Sequence, residues 1–346
     1  MNNTIVMDMK TSFMKFNQNH ECFIECHSSG FKLHTVHPHY VSISREMSHR
    51  PIQGCMLYRT NIVALICADN LNQVKIWDDH QQEFVGHLDF RLRPSSINMR
   101  RDAIIVSTDT ITFVYRLEDL KLLDAIETYS NPRGITDVSI GSSRPPVLAT
   151  PGIGRGNIRI DRYTLDKTSS RRTKIINAHT MAISALTLSC NGDLVASSSI
   201  RGTIIRVFNT ETGNKIHEFR RGSDQAKIYS LAFDAQTRWL AVSSDKGTVH
   251  IFSLSKNTTV GSPQNPTSVL SGLGTAVDYF NSSWSYAQFR PPCNPNVPIK
   301  VCFSLYGNSL VVVTADGKFY STTFNSRDPP PPGALPVQSY ACLAPP

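Results

Sequence analysis

Two turns in this chain carry the same polar chemistry. Ser198-Ser199-Ile200-Arg201-Gly202-Thr203 and Ser243-Ser244-Asp245-Lys246-Gly247-Thr248 stand about 45 positions apart, and each sets hydroxyls and a basic side chain around a glycine. Hydroxyls, turn amides and cations together form a cradle for a phosphate group. Between the two turns lies Phe219-Arg220-Arg221-Gly222. Successive side chains of an extended strand leave opposite faces, so one arginine can serve each turn. The planar guanidinium fork binds phosphate oxygens in pairs, which an ammonium cannot do. His179 and His250 are further donors, expected to gain positive charge at mildly acid pH. Taken alone, the turns also read as plain hairpins and the arginine pair as a solvated basic face. The elements that carry them decide between the readings.

Those elements repeat. A turn residue followed by an alternating β-branched or aromatic strand occurs at Gly30-Phe31-Lys32-Leu33, Gln73–Asp78, Thr110–Val114 and Gly156–Ile160. It returns at Gly202–Phe208, Gly247–Phe252 and Gly317–Tyr320. Measured on Phe31, Val74, Thr112, Ile158, Ile204, Val249 and Phe319, the steps are about 43, 38, 46, 46, 45 and 70 residues. A period near 40–45, with one copy ending in Trp77-Asp78, is the spacing of four-stranded propeller blades. Further short strands are expected at 183–188, 194–198, 228–233 and 240–244, and helix-period stretches are absent. The expected fold is therefore all-β, a seven-bladed WD-repeat-like β-propeller.

The long sixth step locates an insertion over 255–283. Its first half is polar with Pro263 and Pro266, and its second half is apolar without an evident strand partner. Residues 1–327 are expected to form the single propeller that carries this inserted loop. Residues 328–346, with the Pro329–Pro332 run, are expected to form a Pro-rich tail.

Composition narrows the function. The chain has 346 residues, 40% of them hydrophobic, and a formal charge of +8. That is enough apolar material for a core, which excludes full disorder. Its longest apolar runs, such as 61–67 and 309–314, fall far short of the roughly 20 residues a spanning helix needs. Met1–Asn19 lacks the apolar core of a secretory signal. Eight scattered cysteines read as buried thiols of an intracellular protein, and Cys22-Phe23-Ile24-Glu25-Cys26-His27 reads as strand, so no metal is expected. The positive charge suggests an anionic partner, and no stacking platform for nucleic acid is evident. Gly-x-Ser-x-Gly, Walker-type and His-Glu-x-x-His motifs are absent, which argues against an enzyme and against any cofactor. Gly152-Ile153-Gly154-Arg155-Gly156 lacks a following helix and is expected to be a blade-four turn.

The Phe219–Gly222 core and its flanking strands 202–208 and 243–252 closely resemble the PROPPIN family, the WIPI-type phosphoinositide-binding propellers of autophagy. The resemblance extends over nearly the whole chain, including Phe16-Asn17-Gln18, Lys75–Asp79, Met99–Asp102 and Trp284–Phe289. It implies two sites for phosphatidylinositol 3-phosphate or the 3,5-bisphosphate on the rim of blades five and six. By motif position, the first would use His179, Ser197, Ser199, Gly202, Thr203, Arg206 and Arg220. The second would use Arg221, Ser244, Thr248 and His250. It further implies that the blade-six insertion enters the bilayer, for which Val269, Leu270, Leu273, Val277, Tyr279 and Phe280 are suitable contacts. A lipid-transfer protein of the autophagosome is the implied partner, with Asn17 and Asn19 on its surface, where the family commonly carries an acidic residue in place of Asn19. The resemblance implies a cytoplasmic monomer, peripheral on phagophore, endosomal or vacuolar/lysosomal membranes. The alternative is a generic protein-interaction propeller without lipid binding, because fold alone does not give function.

Overall fold

The computed structural model describes residues 13–141, 145–163, 171–255, 265, 283–305, 308–324, 334–335 and 339–342. Within them the chain forms seven sheets in sequence order, each built on four antiparallel strands, the blades of a propeller. Each repeated signature is the third strand of its blade: Gly30–Thr35, Asn70–Asp78, Ile111–Arg116, Asn157–Tyr163, Ile204–Asn209, Val249–Ser253 and Lys318–Thr323. The third strand is sandwiched within its own sheet and between neighbouring blades, so its alternate residues must be apolar. That double constraint is why this strand repeats most legibly.

The core lies between blades. Between blades five and six, Ala196, Ile205, Val207 and Phe219 pack on Ile228, Leu240, Val242 and Phe252. Between blades seven and one, Cys302, Val311, Val313 and Phe319 pack on Met14, Phe23 and Val36 and close the ring. The ring of His39 stacks on Phe319 across the same joint, with centroids 4.1 Å apart. Packing of this kind removes exposed sheet edges by radial closure.

Blade five consists of strands Ile183–Leu188, Leu194–Ser199, Ile204–Asn209 and Lys215–Arg220, from the axis outward. Blade six follows with Ile228–Phe233, Trp239–Ser244, Val249–Ser253 and Ala287–Phe289. The insertion therefore lies between the third and fourth strands of blade six. The Gly152–Gly156 segment is the turn joining Val147–Pro151 to Asn157–Tyr163 in blade four. The Cys22–His27 segment is a strand whose two cysteines are buried.

One expectation is corrected. The segment beyond 327 is not only a tail, because Ser339–Cys342 pairs with Lys318–Thr323 as the outer strand of blade seven. Ala334–Leu335 also adds a short parallel strand beside Ala287–Phe289.

Candidate functional site

The two polar turns form as their sequences require. Gly202 and Gly247 adopt φ of 66° and 70°, the left-handed region that side chains avoid. Each turn enters the third strand of its blade, and each keeps its hydroxyls inside: Ser197, Ser199, Thr203, Ser244 and Thr248 are all buried. The outer strand of blade five brings the arginines beside these turns. It pairs Arg220 with Ile204, Phe219 with Ile205 and Glu218 with Arg206. Phe219 turns toward blade six, where its ring stacks on Phe252 at 4.7 Å. By alternation Arg220 leaves the opposite face, the one that carries Glu218.

That face holds a polar row. Ser197, Arg206 and Glu218 are cross-strand neighbours. Arg206 donates from Nε to Glu218 Oε2 at 2.9 Å and from a terminal nitrogen to the Ala178 carbonyl at 2.7 Å. His179 Nε2 and Ser197 Oγ are hydrogen-bonded at 3.0 Å. Burial disfavours ionisation of the Glu218 carboxyl, but Lys215 and Arg206 outweigh it and hold the group below its usual range. Glu218 was not singled out in the sequence, although its place two residues before Arg220 marks it as facing the same way.

Arg221 belongs to the other side. Its amide donates to the Thr203 carbonyl at 2.9 Å, and its guanidinium donates to the carbonyls of Gly202 and Asp224. Burial lowers its pKa against the pull of Asp245 and Asp224. His250 Nδ1 meets Ser285 Oγ at 3.2 Å, and its charge environment includes Arg221 and Arg290. The side chains thus separate into a His179–Arg206–Glu218 group and a His250–Arg221–Arg290 group. Arg290 is a further basic member that sequence reading missed, because it follows the insertion and lies outside the repeat.

One alternative reading and one expectation about charge and exposure are corrected. Arg220 and Arg221 are 5% and 6% exposed, so they are buried residues rather than a solvated pair. His179 and His250 are each pushed down to about 4, chiefly by burial and then by Arg206 and Arg221 respectively. They are therefore neutral at mildly acid pH in the free protein, not cationic as expected. Since both folded values lie below the unfolded value near 6.5, the unfolded chain binds more protons between these limits. Stability carried by these two groups is present above pH 6.5 and is lost as pH falls toward 4.

The strand also anchors the insertion. The Arg220 amide donates to the Ser283 carbonyl at 2.8 Å, and the Ser283 amide donates to the Glu218 carbonyl at 3.1 Å. The insertion thus returns to the propeller alongside the arginine strand. Val269, Leu270, Leu273, Val277, Tyr279 and Phe280 lie outside the described residues.

On the other rim, Asn17 is buried and does not form a surface. Its amide donates to the Tyr58 carbonyl at 3.2 Å, and its oxygen accepts from the Cys22 amide at 3.1 Å. Asn17 is thereby used to hold the turn after the first strand, which removes it from the expected partner surface. Asn19 donates to Glu21 Oε2 at 2.7 Å, so a carboxylate does stand beside that position.

Comparison with known proteins follows this geometry. The PROPPIN family model matches residues 10–286. Autophagy-related protein 18e of Arabidopsis thaliana is 29% identical over 332 residues, spanning 93% of this chain and 85% of that protein. SVP1-like protein 2 of Pichia angusta is 33% identical over 289 residues, 80% of this chain and 79% of its own length. The crystal structure of Kluyveromyces marxianus Hsv2 superposes with a TM-score of 0.76 at 26% identity, covering 97% of this chain and 99% of that one.

Proposed function

The chain belongs to the PROPPIN family of autophagy propellers, and from that membership we propose that its blade-five and blade-six rim reads 3-phosphorylated phosphoinositides on membranes without catalysing a reaction. The observation that carries the reading is the placement of Arg220 at the end of the outer strand of blade five and of Arg221 just after it, between two histidine- and hydroxyl-bearing groups. His179, Ser197, Ser199, Gly202, Thr203, Arg206 and Arg220 would hold one headgroup. Arg221, Ser244, Thr248 and His250 would hold the other, with Arg290 beside them.

The hydrogen-bond partners of the Arg221 guanidinium in the free protein are neutral carbonyls, with Asp245 and Asp224 only in its wider charge environment, so a phosphate can replace them. Arg206 must be shared with or drawn from Glu218. Either site alone would bind weakly. Two sites and an apolar loop on one edge gain avidity, because the second and third contacts become intramolecular. The insertion, whose return is hydrogen-bonded to the arginine strand, would supply the bilayer contact. Docked in this way, a peripheral monomer would present its remaining rim to the autophagy machinery, including a lipid-transfer protein.

Liposome flotation tests the reading. Vesicles carrying phosphatidylinositol 3-phosphate or the 3,5-bisphosphate should recover the protein, and vesicles carrying unphosphorylated phosphatidylinositol should recover little. Equal recovery on all three would overturn it in favour of a protein-binding propeller.

The histidines give a second expected outcome. A bound phosphate stabilises the imidazolium, so binding raises the histidine pKa from about 4 and takes up protons. Affinity should therefore rise as pH falls through the bound-state value and level off near pH 4. His179→Gln with His250→Gln should flatten this slope relative to the unaltered protein on the same vesicles, which also cancels the titration of the headgroup itself. An unchanged slope would remove the histidines from the sites.

A further inference from the structure

The innermost strands of all seven blades enclose a central channel of about 490 Å³. Three cationic side chains line it: Lys15 from blade one, Arg133 from the segment entering blade four and Lys300 from blade seven. Lys15 reaches over to blade three, where its ammonium donates to the Ile97 carbonyl and to Asn98 Oδ1. Arg133 reaches to blades five and six, donating to the carbonyls of Ser184 and Ile228, each at 3.0 Å. Those acceptors are neutral, so they satisfy donors without compensating charge. Lys300 has no hydrogen-bond or ion-pair partner among the described residues. Its side chain is solvent-exposed within the channel; the surrounding protein, with Lys15 and Arg133 adding to it, lowers its pKa to about 8.

The remaining titratable groups of the channel offset this cluster only in part. Asp137 accepts from Thr187 Oγ1 at 2.9 Å and from the amides of Leu188 and Val138; burial raises its pKa while these donors and Lys15 pull it down, so it draws on the charge of Lys15 and leaves Lys300 and Arg133 to the anion. Asp234 is engaged by the amides of Arg238 and Trp239 and by Arg238 Nε. His20 is held neutral at pH 7 by burial, which lowers it to about 4. Burial likewise favours the neutral forms of Tyr229, Cys55 and Cys190.

We propose that the central channel is a binding site for a small, multiply phosphorylated soluble anion, held by Lys300 together with Lys15 and Arg133. Three cations approaching from three blades match an anion with several charged oxygens better than a single carboxylate. Like charges gathered in one concavity raise the local anion concentration, most strongly at low salt. The site is separate from the rim, since Lys300 lies on the innermost strand of blade seven and Arg220 and Arg221 lie at the outer strand of blade five. It requires no membrane.

The test is calorimetric titration of the full chain with sodium tripolyphosphate at low salt. The Arg220→Thr/Arg221→Thr background removes the rim arginines. This protein should still bind one tripolyphosphate. Adding Lys300→Gln should weaken binding about tenfold, the cost expected for one lost charge-assisted contact in an enclosed site. Lys300→Arg should retain it within about threefold, because the charge is kept. Titration at pH 8 in two buffers of different ionisation enthalpy should show proton uptake that disappears with Lys300→Gln. Flotation on phosphatidylinositol 3-phosphate vesicles should be unchanged by Lys300→Gln alone, which separates the soluble anion from the lipid headgroup. Should the rim substitutions unfold the chain, Lys300→Gln in otherwise unaltered protein should weaken one class of tripolyphosphate site about tenfold and leave the others unchanged. Absence of binding in the folded rim variant would overturn the proposal. So would equal affinity with and without Lys300→Gln, or loss in Lys300→Arg as complete as in Lys300→Gln.

Discussion

Replacing Arg220 and Arg221 together by threonine is expected to lower the apparent affinity for phosphatidylinositol 3-phosphate vesicles by about a hundredfold or more. A hydrogen bond to a charged group contributes about 1.5–3 kcal/mol, and the pair supplies one guanidinium to each proposed site. Single replacements should be milder, about tenfold each, because the remaining site and the loop still hold the protein at the surface. Both arginines are buried, so thermal unfolding must accompany the flotation. Arg221→Thr leaves the Gly202 carbonyl without its donor, and some loss of stability is expected. Arg220→Lys/Arg221→Lys separates the causes. It keeps the charge and most of the stem, so the fold should persist while paired recognition of phosphate oxygens is lost. Wild-type flotation by a folded threonine variant would remove the arginines from the reader.

Gly202→Ala is expected to be the most damaging single change at the rim. A Cβ there would stand 1.8 Å from the Ala226 carbonyl oxygen, at a φ of +66°. The left-handed conformation alone costs about 1–2 kcal/mol for a residue with a Cβ. Moving the Ala226 backbone should bring the total loss of stability to about 3 kcal/mol or more. Gly222 is the contrast. Although it closes the Phe-Arg-Arg-Gly sequence, a Cβ there meets nothing within 4 Å. Gly222→Ala should leave the melting temperature nearly unchanged, within about 0.5 kcal/mol. If it nonetheless weakens vesicle binding, close approach of the headgroup to the backbone is the reason for a glycine at that position. Equal destabilisation by both substitutions would contradict this account of the turn.

The blades were legible in the sequence because a third strand packed on both sides leaves an alternation that survives divergence. All seven signatures became third strands, and the long sixth step falls between Val249–Ser253 and Ala287–Phe289. The outer strand of blade seven was not legible. Ser339–Cys342 follows a proline run, and an outer strand needs only one ladder of hydrogen bonds rather than two packed faces. Burial by a neighbouring blade was also invisible, and it explains the errors at His179, His250 and Asn17. Their side chains are polar, and only the closed ring shows that little water reaches them. Lys15, Arg133 and Lys300 share no motif at all. They meet because closure brings blade one beside blade seven and turns every inner strand toward the axis.

The joint between blades seven and one has a mechanical consequence. Blade seven takes its outer strand from its own following segment, and among the described residues no strand is exchanged across that joint. Side-chain packing and the His39–Phe319 stack hold the seam there. No backbone ladder has to be sheared to part it. A pulling force applied at the two ends of the described chain should therefore rupture this joint first, at low load. The ring would open into a curved array of blades while each sheet stays folded, and the blade-five and blade-six turns would be among the last parts to yield.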